Sequence, residues 1–256
     1  MSVLYLYAVA RGVAPGALGA GLAGEPIAAL EVAGVLALAG RLEAVPEIDR
    51  AALEGHDAVV RRLAAASDAL LPARFGSVVD DARALGDALS VWAEALAGAL
   101  DLVAGREQMT LRIYGSPPER EVGEADADAA TAPVDTTVEP GRPGAPAAPA
   151  DASTGPGARY LAARLRAHRR ARAPSVLAPV RSALAPLVHA ERVEVHATPP
   201  LVASVYHLIA RGRAAEYRAA LDGALPALAP ARAAVSGPWP PYAFAPGLGA
   251  LGGAAA

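Results

Sequence analysis

The chain has 256 residues, with 23 basic and 26 acidic side chains and a formal net charge of −3 at pH 7, room for one large or two modest domains with cores of their own. It contains no cysteine, which excludes disulfides, a thiolate nucleophile and a cysteine-type zinc site, and fits a reducing cytoplasm. Every basic residue is arginine in a chain rich in alanine, glycine and proline, a composition that reads as GC-rich coding bias more than as selection for bidentate recognition.

No N-terminal basic and apolar pattern marks an export signal, and no apolar run reaches about 18 residues without charge, proline or glycine, so no membrane span is expected. Residues 3–10 alternate weakly and are rich in valine, leucine and tyrosine, which predicts a strand; residues 12–24, rich in glycine, read as a flexible loop. Residues 32–42 predict one or two strands interrupted by Gly34 and Gly40. Residues 50–66 carry Leu53, Val59, Val60 and Leu63 at helical spacing, and residues 70–79 return to strand character. Residues 80–102 repeat Leu85, Leu89, Trp92, Leu96 and Leu100 along one stripe, predicting a single long amphipathic helix, with Asp80 and Asp81 at its positive dipole end. Residues 110–114 close this part with a strand. An α+β domain over residues 1–115 is the expectation.

Residues 116–156 hold eight prolines, eight acids and two arginines with almost no large apolar side chain. Such a segment cannot bury enough surface to offset its ordering entropy, so it is expected to be a disordered acidic linker. The parts it separates differ in charge, with 9 arginines against 14 acids before it and 12 against 4 after it. Beyond it, residues 157–172 and 179–187 predict helices, residues 192–196 and 201–209 strands, residues 216–225 a helix and residues 231–235 a strand. This order predicts a second α+β domain over residues 157–256, a modified ferredoxin-like sheet with helices.

No catalytic constellation emerges. His56, His168, His189, His196 and His207 lack metal-ligand spacing, although His196 and His207 could face each other across a hairpin. The serines sit in no GxSxG turn, and the glycine-rich stretch matches neither phosphate-binding pattern. No cofactor, metal or catalytic residue is expected. Arg159, Arg166 and Arg170 cluster on one face of the helix predicted at 157–172. No nucleic-acid-reading motif or interleaved aromatic platform accompanies them, so a solvated or docking face is the expectation, with an anion- or nucleic-acid-binding module as the alternative. An enzyme with a dispersed small-molecule or nucleotide site is the other alternative.

Near the C-terminus, Ser236-Gly237-Pro238-Trp239-Pro240-Pro241-Tyr242-Ala243-Phe244 places three prolines and three aromatics in nine residues. The prolines predict an extended or polyproline rod that presents Trp239, Tyr242 and Phe244, with Trp239 as a buried anchor and its surroundings as a partner surface. Together with Tyr5-Leu6-Tyr7, Leu71-Pro72-Ala73-Arg74-Phe75-Gly76, Gly105-Arg106-Glu107-Gln108-Met109, Gly157-Ala158-Arg159-Tyr160-Leu161 and Ser204-Val205-Tyr206-His207-Leu208, this string resembles the gas vesicle protein F/L family. Gln108 and Tyr206-His207 depart from that pattern and leave F against L open. The resemblance implies the two-domain α+β arrangement and a non-enzymatic role in gas vesicle assembly in the cytoplasm and at the vesicle. The implied partners are the hydrophobic shell protein and other accessory proteins, and neither nucleic acid nor membrane. Trp239, Tyr242, Phe244, Arg159, Arg166 and Arg170 are the candidate partner-binding residues.

Overall fold

A computed structural model describes residues 2–14, 16–115, 177–196, 200–246 and 248. The expected linker at 116–156 and the arginine-bearing helix expected at 157–172 lie outside the described residues. The chain is α+β, built on two antiparallel sheets.

The first sheet contains β1 (Val3–Val13), β2 (Ile27–Val32), β3 (Val35–Leu42), β4 (Ser67–Pro72) and the short β5 (Val78–Val79), in the order β2-β3-β1-β4 with β5 also paired to β1. From Leu4 to Ala10, β1 is buried on both faces, so its near-continuous apolar run replaces clean alternation. Helix α1 (Arg50–Ala65) covers one face through His56, Val59, Val60 and Leu63, three to four residues apart. Asp49 caps it, accepting from the Ala52 amide at 2.7 Å. Residues 33 and 34 form the two-residue β2–β3 turn with φ of 50° and 77°, the doubly left-handed geometry that matches strand twist and that Gly34 adopts without penalty. Gly40, by contrast, lies inside β3, where a Cβ would fall 2.7 Å from the Glu25 side chain.

The single helix expected at 80–102 is two helices, α2 (Ala82–Ser90) and α3 (Ala93–Val103), on the other face of the first sheet. Ser90 Oγ donates to the Gly86 carbonyl at 2.6 Å, a back-bond that bends or ends helices. The break removes Trp92 from the buried stripe: Leu85, Leu89, Leu96 and Leu100 are buried, while Trp92 is 40% and Val91 80% exposed. Asp81 is the side-chain cap of α2, accepting from the Ala84 amide at 2.8 Å.

The second sheet comprises β6 (Arg106–Tyr114), β7 (Val188–Val195), β8 (Leu201–Ala210) and β9 (Arg232–Trp239), in the order β7-β8-β6-β9. Helices α4 (Ala178–Leu184) and α5 (Ala214–Ala224) close a core with one of its faces. Here the structure corrects an expectation. Strand β6 was expected to close the part before residue 116, yet it pairs with β8 on one side and β9 on the other. Among the described residues it supplies the first strand of a strand-helix-strand-strand-helix-strand order, the split βαβ order of ferredoxin-like sheets. The boundary expected at residue 115 therefore separates β6 from both its neighbours. Local apolar pattern identifies a strand but not its partner, which is why composition placed the division on the wrong side of β6.

Candidate partner interface

The proline-aromatic segment is not a free rod. Strand β9 carries it as far as Trp239, which pairs with Gln108, and a single 3-10 turn over Tyr242–Phe244 follows. Phe244 is the anchor, 1% exposed in an apolar cluster that also contains Leu4, Leu6, Leu71 and Leu96 from the first sheet and its helices, and Leu208 from the second. The backbone beside it is clamped from the second sheet: Arg192 donates to the Ala243 carbonyl at 2.7 Å, and the Ala243 amide donates to Gln108 Oε1 at 2.9 Å. Gln108, unexpected for the resembled pattern, thus has a structural use. The Arg192 guanidinium lies 5.3 Å from the Phe244 ring centre.

Trp239, expected to be the buried anchor, is half-buried. The Arg61 guanidinium of α1 lies over its ring at 4.3 Å, a cation–π arrangement. Arg61 also donates to the Pro238 carbonyl at 3.3 Å and to Asp57 at 2.6 Å. Tyr242 is half-buried against the cluster under α1, and burial pushes its phenol above the usual tyrosine range. Trp239 and Tyr242 therefore keep part of their surface at the seam between α1 and the second sheet. Arg159, Arg166 and Arg170 lie outside the described residues.

Two polar networks sit beneath the helices. Under α1, Tyr5 Oη and His56 Nδ1 are 2.9 Å apart, His56 Nε2 lies 3.2 Å from the Ala73 carbonyl, and the Gly76 amide donates to Tyr5 Oη at 3.1 Å. A carbonyl can only accept, so Nε2 carries the proton and Nδ1 accepts from Tyr5. Burial holds His56 below the usual histidine range and pushes Tyr5 up to about 12. Beside it, the Tyr7 hydroxyl donates to Glu25 and accepts from the Leu22 amide at 2.9 Å, while Glu25 accepts from the Ala23 amide at 3.0 Å. Arg62 donates to the carbonyls of Leu18 and Ala20. The glycine-rich stretch expected to be a flexible loop is thus tied to β1 and α1 by side chains on both.

Under α4 and α5, His207 Nδ1 lies 2.6 Å from Tyr217 Oη and Nε2 3.0 Å from Glu191, which Arg181 grips through two nitrogens at 2.6 and 3.1 Å. Burial would raise the Glu191 carboxyl, but the hydrogen bonds from Arg181 and His207 outweigh it and hold the group below its ordinary value. Burial also lowers His207, with Glu191 pulling in the opposite direction. His207 stands opposite Glu191 in the β7–β8 register, and His196 bonds to Ser204 at 2.8 Å, so the two histidines do not face each other. Among the described residues no group of histidines and carboxylates could hold a metal, and no buried side-chain polar atom lacks a partner. Sequence patterning missed Glu25, Glu191 and Tyr217, whose partners lie across strands and helices; an acid at the same strand parity as Val193 and Val195 was the available signal for Glu191.

The described surface exposes Val45, Ile48 (82%) and Leu53 around the start of α1, and Val91 and Trp92 at the α2–α3 break. Strand β2 is an edge of the first sheet, with Ala28, Ala29 and Glu31 exposed. No helix among the described residues is long and apolar enough to cross a membrane.

The sequence profile of the gas vesicle synthesis protein GvpL/GvpF family matches residues 3–246. Among curated proteins no significant match is found. Among solved structures, the crystal structure of the gas vesicle protein GvpF from Anabaena sp. PCC7120 is similar with a TM-score of 0.64 and 17% identity, covering 96% of each chain. That of GvpF from Microcystis aeruginosa is similar with a TM-score of 0.63 and 15% identity, covering 95% of this chain and 98% of the other. These likenesses show a shared α+β fold, and the profile match shows that the chain belongs to the gas vesicle synthesis protein GvpL/GvpF family.

Proposed function

We propose that the protein is a gas vesicle assembly factor that binds the hydrophobic shell subunit, together with other accessory proteins, in the cytoplasm and at the vesicle. The observation that carries this reading is the family match over residues 3–246. Its physical content is that of a binding protein rather than an enzyme, since the buried polar groups described above are used to hold loops, strands and helices together. An apolar, sheet-forming subunit aggregates edge to edge unless its surface is covered before it joins the shell. The β2 edge and the exposed apolar side chains around Ile48 and Trp92 offer surfaces suited to that task, and the seam at Trp239 and Tyr242 offers aromatic anchors. Arg159, Arg166 and Arg170 remain candidates for the other contacts.

Co-purification of the full chain with the shell subunit tests the reading. Capture is expected with wild type, with reduced capture by Trp239→Ala and Tyr242→Ala variants that remain folded. No capture by wild type overturns the reading, and wild-type capture by every folded variant removes the seam from the interface.

A further inference from the structure

The two N-terminal motifs that the partner reading leaves unused meet at one side chain. Tyr5-Leu6-Tyr7 supplies the two rings packed on His56, with centroids 5.7 Å from the imidazole in each case. Leu71-Pro72-Ala73-Arg74-Phe75-Gly76 supplies the Ala73 carbonyl, the Gly76 amide and the Phe75 ring, whose centroid is 5.8 Å away. We propose that Tyr5, His56 and the 73–76 loop form a proton-sensitive latch, closed while His56 is neutral and loosened when it is protonated.

The hydrogen-bond inventory explains the sensitivity. In the neutral state each group has one role: Nε2–H donates to Ala73, Nδ1 accepts the Tyr5 hydroxyl proton, and the Tyr5 oxygen accepts from Gly76. A proton on Nδ1 turns that nitrogen into a donor. The Tyr5 oxygen must then accept from both His56 and Gly76, and its own proton loses its acceptor at a fully buried site. The added charge also lies at a side chain only 3% exposed.

Among the described residues no carboxylate hydrogen-bonds to the ring, and only Asp57 acts on it through space in favour of the charged form. From β1 come Tyr5 and Tyr7, with Glu25 behind Tyr7 and bonded to its hydroxyl. On α1, Asp57 is turned to Arg61 at 2.6 Å. The loop contributes Phe75, with Arg74 exposed, and Tyr242 packs at the edge of the same cluster. The stacked Tyr7 ring offsets part of the charge but provides no acceptor for Nδ1–H. His207 is the internal contrast, because its Nε2 is bonded to the Glu191 carboxylate, whose charge favours the imidazolium.

The latch has a route outward. The loop leads into Ser77, whose carbonyl accepts from the Leu6 amide at 2.9 Å and whose Oγ lies 3.5 Å from the Leu248 carbonyl in the C-terminal segment. Opening at 73–76 would loosen the hold of β1 on that segment.

Amide exchange by NMR on the full chain at pH 7.5 and 5.5, expressed as protection relative to intrinsic exchange, is the test. Gly76 protection is expected to fall about tenfold in wild type, because an opened loop lets His56 titrate near its free value of about 6.5. In His56→Gln, whose amide can donate to Ala73 and accept from Tyr5, protection should not change with pH. His207→Gln should retain the fall. A Gly76 amide indifferent to pH in wild type, an equal fall in His56→Gln, or loss of the fall in His207→Gln overturns the proposal. If His56→Gln does not fold, the wild-type imidazole decides: its ¹⁵N titration must coincide with the loss of Gly76 protection, and titration without that loss overturns the latch.

Discussion

The regions under α1 and under α4 and α5 each bury a histidine between helix and sheet, and they satisfy it by opposite means. His56 has only neutral partners, a phenol and a backbone carbonyl, whereas His207 is backed by a carboxylate that is itself gripped by Arg181. The difference shows that burial alone does not determine how a histidine responds to acid. A neutral lining has nowhere to place the extra proton, and a charged one does.

The most severe way to break the comparison is to remove one region's frame. A chain of residues 157–256 lacks β6, leaving β8 and β9 without the strand that lies between them, and it is expected to give no dispersed amide NMR spectrum. A dispersed spectrum would mean that the second region does not need β6.

Next comes the side chain that both regions share. Phe244→Ala should cost about 3–5 kcal/mol by denaturant unfolding, with Trp239→Ala costing clearly less because its ring is half-buried. The reverse order would restore Trp239 as the anchor.

Glu191→Gln sharpens the contrast, since it removes the anion from His207 and Arg181 while leaving the α1 region untouched. A loss of about 1–3 kcal/mol is expected, with exchange protection lowered in β7, β8 and α5 but not at Gly76. Equal loosening of both regions would show that they are not separately maintained.

The smallest effect is that of pH. Both histidines are held below their ordinary value, so the unfolded chain binds more protons as acid is added. The stability they confer is complete above about pH 6.5 and is lost as pH falls toward the folded values, by at most about 1.4 kcal/mol per unit for each. Tm should therefore be lower at pH 5.5 than at 7.5, with His56→Gln reducing the difference more than His207→Gln. A Tm that rises on acidification contradicts this sign.

Elements dominated by local pattern were legible in the sequence. Helix α1 begins at Arg50 as its 3.6-residue spacing indicates, and β8 occupies a mostly apolar run. The break at Val91 was not legible, because Leu85, Leu89, Trp92, Leu96 and Leu100 keep helical spacing across it and the Ser90 back-bond leaves no periodic trace. The partners of β6 were hidden because pairing across a long intervening segment has no local signature. Of the candidate interface, the aromatic concentration was visible, but the choice of Phe244 over Trp239 for burial depends on a cluster assembled from both sheets.

The position of β6 in the chain sets a timetable for synthesis. The first sheet is complete once β5 has emerged, whereas β6 waits for β8, which begins about 90 residues later, a delay of roughly 4–18 s at ordinary rates of translation. Throughout that interval Met109, Leu111 and Ile113, all buried in the finished protein, have no sheet to join on a nascent chain. The protein thus passes through a stage in which it carries an unpaired apolar strand, and slower translation would lengthen it.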